Sequence, residues 1–163
     1  MSKISPCLWF DGQAEEAANF YASVFGGSVD MVSHYPQDHD SPARFDGGAV
    51  LLVEFTLFGQ TYQALNGGPE FRFSEAVSLS VACQDQAELD RYHDALTADG
   101  GAPIECGWVK DRFGFSWQLV PDAMIAWYKS GDRPAIARMM QAMMTMQKLD
   151  IAALQAAFDG DGA

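Results

Sequence analysis

From Ala49 to Leu57 the chain is apolar at nearly every position, yet its two alternating sets differ. Leu51, Val53, Phe55 and Leu57 are wholly apolar, whereas the intervening set reads Val50, Leu52, Glu54, Thr56. Strand side chains alternate between faces, so this spacing predicts a strand with one face on a hydrophobic layer and the other carrying a lone carboxylate. Phe115–Val120 repeats the design. Phe115, Trp117 and Leu119 share one face, Ser116, Gln118 and Val120 the other, after a turn ending at Gly114. Further strands are predicted at Ile4–Phe10, Ser28–Tyr35, Thr61–Leu65, Ala76–Cys83 and Pro103–Lys110. Pro6 lacks an N–H donor and sets the first of these at an edge or leaves it partly paired. Phe58-Gly59-Gln60 is read as the tight turn that joins the Glu54 strand to its hairpin partner, and Asn66-Gly67-Gly68-Pro69 as the turn that ends it.

Helical spacing appears in two places with one layout. Ala14, Ala18, Tyr21 and Phe25 form an apolar stripe that Gly26-Gly27 stops; Leu89, Tyr92 and Leu96 form another that Gly100-Gly101 stops, with Asp85 and Glu88 as a capping box. Gln13-Ala14-Glu15 recurs 73 positions later as Gln86-Ala87-Glu88, and the glycine pairs recur at 74, the mark of a duplicated supersecondary unit. From Asp122 onward the chain is predicted helical. Met124–Tyr128 is a short turn, Asp132 caps a longer helix with Pro134 in its first turn, and Asp150 caps Ile151–Phe158. The methionines at 139, 140, 143, 144 and 146 are read as packing. Pro36–Gly48, with Asp38, His39, Asp40 and Asp46, matches no standard cation loop and is read as a solvated connection.

Composition narrows the function classes. A net charge of −12 repels nucleic acid and anionic membrane surfaces. No apolar run is long enough to span a bilayer and no basic-then-apolar leader opens the sequence, so a soluble cytoplasmic protein is expected. Cys7, Cys83 and Cys106 form no CxxC pair and are expected to be reduced thiols. The glycine cluster at 67–68 lacks the strand–GxGxxG–helix setting of a dinucleotide or methyl-donor site.

Four stretches, LWFDGQAEEAANFYASVFG (8–26), LNGGPEFRFSEAVSLSV (65–81), CGWVKDRFGFSWQLVP (106–121) and MMQAMMTMQKLDIAALQAAFDG (139–160), resemble the PhnB-like branch of the vicinal oxygen chelate superfamily. That superfamily includes glyoxalase I and bleomycin-resistance proteins, and members of this branch are often labelled 3-demethylubiquinone-9 3-methyltransferase domains. The resemblance implies an α+β fold: two βαβββ modules (about 1–70 and 71–121) forming a curved mixed sheet around a cup, then a helical C-terminal extension (122–163). It also implies a homodimer. Metal-using members take ligands from the first and last strands of each module. Carried over, these positions fall near Ser5, Glu54, Ala76 and Gln118, with Glu75 and His34 as further donors. Alanine is no ligand and serine a poor one, so no catalytic metal or other cofactor is expected.

Two functions compete on this reading. In the first, the chain binds a small, partly aromatic molecule in a cup walled by Cys7, Trp9, Leu52, Glu54, Asn66, Trp108, Ser116 and Gln118. In the second, it is a lyase- or isomerase-type enzyme. A mostly apolar cup would then push the Glu54 carboxyl up so that it serves as general base, while Gln118 and Asn66 polarise the substrate oxygen. A divalent metal held by Glu54 is the Lewis-acid variant of that chemistry. A blander alternative fills the cup with Trp9, Trp108 and Trp117 themselves. Parity places Trp117 on the helix side of its strand, and it and Trp127 are read as core. Binding without a catalytic metal is the expected function.

Overall fold

The computed structural model describes residues 3–37 and 45–161. Asp38, His39 and Asp40 of the acidic connection lie outside the described residues. The chain divides into two compact units, Met1–Phe73 and Ser74–Ala163.

The first unit runs β1 (Cys7–Phe10), α1 (Ala14–Phe25), β2 (Ser28–His34), β3 (Val50–Leu57) and β4 (Gln60–Asn66). Its sheet has the order β1-β4-β3-β2, with β1 parallel to β4 and the other pairs antiparallel. Helix α1 buries Ala14, Ala17, Ala18, Tyr21 and Phe25, a stripe at helical spacing. The sheet answers with Val53, Phe55 and Leu57, all buried, and the rings of Tyr21 and Phe55 lie 6.1 Å apart. Gly26 closes the helix at φ 74. Gly27 is needed for a different reason, since a Cβ there would stand 2.1 Å from the Thr56 carbonyl oxygen.

The second unit repeats the plan: β5 (Ser78–Cys83), α2 (Gln86–Thr97), β6 (Ala102–Pro103), β7 (Trp108–Lys110) and β8 (Ser116–Pro121). Its order, β5-β8-β7-β6 with β5 parallel to β8, is that of the first sheet. Each module thus makes its own open four-stranded mixed sheet, and the duplication read from short matches is one of whole topology. Asp85 caps α2 by accepting the Glu88 N–H at 2.8 Å, while Glu88 reaches back to the Gln84 N–H at 2.8 Å.

Beyond β8 come α3 (Asp122–Ser130), α4 (Arg133–Met143) and α5 (Ile151–Asp159). Asp132 and Asp150 cap α4 and α5 through the N–H groups of Ala135 and Ala153, as their positions predict. Met139 is fully buried, but Met140 and Met144 are 41% and 68% exposed, so packing accounts for only part of the methionine run. Trp127 is core, stacked on Phe158 at 5.4 Å.

Three predicted strands are altered, the first of them beginning at Cys7 instead of Ile4. The strand expected from Ala76 starts at Ser78, leaving Ala76 in the preceding turn. The strand expected over Pro103–Lys110 is broken by a 3-10 turn at Glu105–Gly107. Cys106 and Gly107 take φ of 62 and 79 there, and their N–H groups donate to Met146 and Gln147 carbonyls instead of a strand. Gly107 also abuts Leu149, where a Cβ would come within 2.8 Å. Gln86 completes the attachment, donating to the Leu149 carbonyl and accepting the Ile151 N–H. The extension is therefore held by hydrogen bonds that only this tertiary arrangement supplies.

The turn before β8 depends on a buried carboxylate. Asp111, 2% exposed, accepts the N–H groups of Phe113 and Phe115 on one oxygen and the Trp117 indole N–H on the other, at 2.8 to 3.0 Å. Charged acceptors of this kind are costly to lose because the donors stay buried. Asp111→Asn keeps the shape but sets an amide NH2 against one of those donors. It is expected to lower unfolding free energy by about 2–3 kcal/mol in urea melts.

Candidate functional site

In the first unit, strand register decides which side chains meet. Cys7 lies opposite Gln63, Gln63 opposite Glu54, and Glu54 opposite Met31. All stand on the face turned away from Val53 and Phe55, since neighbours in a strand point to opposite sides. The Gln63 amide donates to Glu54 Oε1 at 3.0 Å. A register shift between Val29 and Met31 leaves Asp30 without a ladder partner, and such a bulge re-aims its side chain. The Asp30 carboxylate accepts the hydroxyls of Ser28 and Thr56 at 2.6 Å each. Those bonds, Ser28 first, hold its carboxyl below the usual carboxylate range.

A hollow of about 610 Å³ opens on this face, lined by Lys3, Ile4, Ser5, Asp30, Glu54, Thr61 and Gln63. The mostly apolar surroundings expected of Glu54 are absent from it. Its walls carry an ammonium, a second carboxylate, two hydroxyls and an amide.

Trp9 and Asn66 are held by the fold. The Trp9 indole N–H donates to the Gly68 carbonyl at 2.8 Å, its ring meets Phe71 edge-on at 4.9 Å, and a Cβ on Gly67 would stand 2.2 Å from that ring. The glycine cluster is thus a turn shaped to pass under an indole. Asn66 is buried. Its Oδ1 accepts the Ala14 N–H, capping α1 where Gln13 gives no side-chain cap, and its Nδ2 donates to the Val50 carbonyl. Cys7 is exposed, with burial of part of its surroundings raising the thiol pKa.

In the second unit Ser80, Gln118 and Trp108 stand in register across three strands, as do Ser78, Ser116 and Lys110. Gln118 donates to the Ser78 hydroxyl at 2.7 Å. Ser116 is fully buried and its hydroxyl has no hydrogen-bond partner among the described residues. Trp108 is half-buried. Glu75 pairs with Lys110, which lowers its carboxyl pKa chiefly through the hydrogen bond. Trp117 is core, as parity predicts.

Of the four positions expected on first and last strands, only Gln118 lies on one, and Ser5 precedes β1. The Cys7–Gln63 pair of β1 and β4 corresponds to the Ser80–Gln118 pair of β5 and β8. Glu54 belongs to the third strand of its module, and Ala76 to no strand. Gln63 is the residue that sequence reasoning missed. Phe58 and Gly59, both at positive φ, form a two-residue turn closed by Leu57 and Gln60, a turn that fixes register. Reading Gln60 as part of the turn hid that Gln63 faces Glu54. Within either module the pair supplies one amide beside a thiol of raised pKa or a serine hydroxyl, fewer good donors than the several carboxylates, imidazoles, thiolates or carbonyls a divalent ion takes. Among the described residues no three His, Cys, Asp or Glu side chains form a group able to hold one.

Two βαβββ modules of identical strand order, each with a helix on one sheet face, define the class of fold. The family model described as 3-demethylubiquinone-9 3-methyltransferase matches residues 2–120, and the chain belongs to that family. A PhnB protein from Bacillus cereus, described as a 3-demethylubiquinone-9 3-methyltransferase, is 34% identical over 74% of this chain and 99% of its own, with a TM-score of 0.64. A protein from Pseudomonas aeruginosa shares the fold, at 23% identity over 75% of this chain and 100% of its own, TM-score 0.58. No curated protein matches the chain. The expected membership of the PhnB-like branch is borne out, while α3 to α5 follow the last residue that the family model matches.

The thiols separate cleanly by environment. Cys83 is fully buried and its thiol is pushed up to about 12, first by burial and then by the Glu88 carboxylate. Native protein treated with a disulfide reagent at pH 8 is expected to react at exposed Cys7, with Cys83 labelled only after unfolding. Mass spectrometry of the labelled peptides reads the order.

Proposed function

We propose that this chain is a small-molecule-binding protein whose ligand sits against the sheet face of the first module that is turned away from α1. The observation that carries this reading is the Glu54–Gln63 pair. One carboxylate oxygen is held by an oriented amide at the wall of a hollow of about 610 Å³, a volume in the ordinary range for small ligands. Oriented polar groups in a concavity fix a ligand's pose.

The general-base reading is weaker. It rests on desolvation of Glu54, and the walls around this carboxylate are polar. Methyl transfer, despite the family description, finds no glycine-rich phosphate loop here, because Gly67 and Gly68 are occupied by Trp9. The reading includes a cytoplasmic homodimer. Three free cysteines suit a reducing compartment, and among the described residues no helix is long and apolar enough to cross a membrane. Exposed Met140 and Met144 offer apolar surface for a contact with a second copy.

A fragment screen followed by amide chemical shifts is expected to move the signals of Ser5, Glu54, Thr61 and Gln63 together. Glu54→Gln should weaken the best hit about tenfold, the loss of one charge-assisted contact. A screen whose hits leave these four residues unmoved would sink the reading. Sedimentation velocity is expected to show a dimer for the native chain and a monomer for Met140→Lys/Met144→Lys.

A further inference from the structure

Building on the binding reading above, we infer that the ligand of the first-module hollow is an organic ammonium. The argument concerns which hydrogen-bonding roles the walls leave open. Gln63 donates one N–H of its amide to Glu54 Oε1. A carboxylate only accepts, so this contact fixes the amide orientation and leaves the Gln63 carbonyl oxygen as an acceptor. Glu54 Oε2 accepts nothing else among the described residues. Asp30 is oriented from outside the hollow by Ser28 and Thr56, which donate to it at 2.6 Å, and each of its oxygens keeps a further lone pair. The walls thus present two carboxylates and an amide carbonyl against one cationic donor, Lys3.

This charge balance discriminates between ligands. A carboxylate or phosphate would meet two like charges for one opposite, whereas an ammonium group finds acceptors and attraction. A compact ammonium with three N–H donors matches three acceptors. Ile4, 83% exposed at the rim, supplies an apolar patch for the ligand's hydrocarbon part. An organic amine therefore suits the hollow better than a bare metal ion, which would need more charged donors in fixed geometry.

Three probes with one phenyl body and different head groups test the inference: 2-phenylethylammonium, 2-phenylethanol and 3-phenylpropanoate. Each is titrated into the full chain at low salt, following amide shifts of Ser5, Glu54, Thr61 and Gln63. The ammonium is expected to bind at least about tenfold more tightly than the propanoate, and to lose affinity as salt rises. Glu54→Gln should erase most of that preference and Asp30→Asn part of it, with both variants checked for the wild-type spectrum. Equal binding of all three, or tighter binding of the propanoate, would overturn the ammonium assignment and leave the hollow a binding site. Silence at these residues for every probe, together with a fragment screen that misses them, would remove both.

Discussion

The parallel pairing of the first strand with the last is the constraint on which each module depends. β1 lies beside β4, and β5 beside β8, so a chain that leaves by a helix must return through two antiparallel strands before it closes. A parallel pair needs such a long crossover, and α1 and α2 supply it. Their apolar stripes then fall on one sheet face by necessity, leaving the other for polar side chains. Ser78 and Gln118 are neighbours because of this closure, and Glu54 and Gln63 because of the β3–β4 hairpin inside it.

Buried polar groups secure the closure. Asn66, at the end of β4, caps α1 and ties back to β3, joining the last strand, the crossover helix and the hairpin through one amide. Asp111 does comparable work before β8. Each is buried and each is hydrogen-bonded, the condition under which a buried polar group specifies a structure instead of weakening it. Asn66 was expected to face a ligand. Its amide is used by the fold.

The C-terminal helices are fastened to the second module by backbone as much as by side chains. The left-handed turn at Cys106 and Gly107 offers its N–H groups to the segment between α4 and α5, and Gln86 grips the next residues. A strand broken to receive another segment reads as a plain strand in the sequence, because the hydrophobic alternation on either side is unchanged.

Alternation and helical spacing by themselves determined much of this protein. They gave the two helices, the glycine stop of α1, the inward faces of the Glu54 and Gln118 strands, the caps at Asp85, Asp132 and Asp150, and the duplicated plan, whereas α2 ends at Ala98, ahead of Gly100-Gly101. Each of these follows from local geometry, where residues a few positions apart share a face. Only the tertiary structure decided that Gln63 partners Glu54, that Asp30 is turned by a bulge toward the same hollow, and that this hollow is polar. Those outcomes rest on a turn one residue shorter than expected and on a slip in pairing between strands. Local spacing leaves such register undetermined, because one residue of shift exchanges the two faces while the pattern of either strand stays the same.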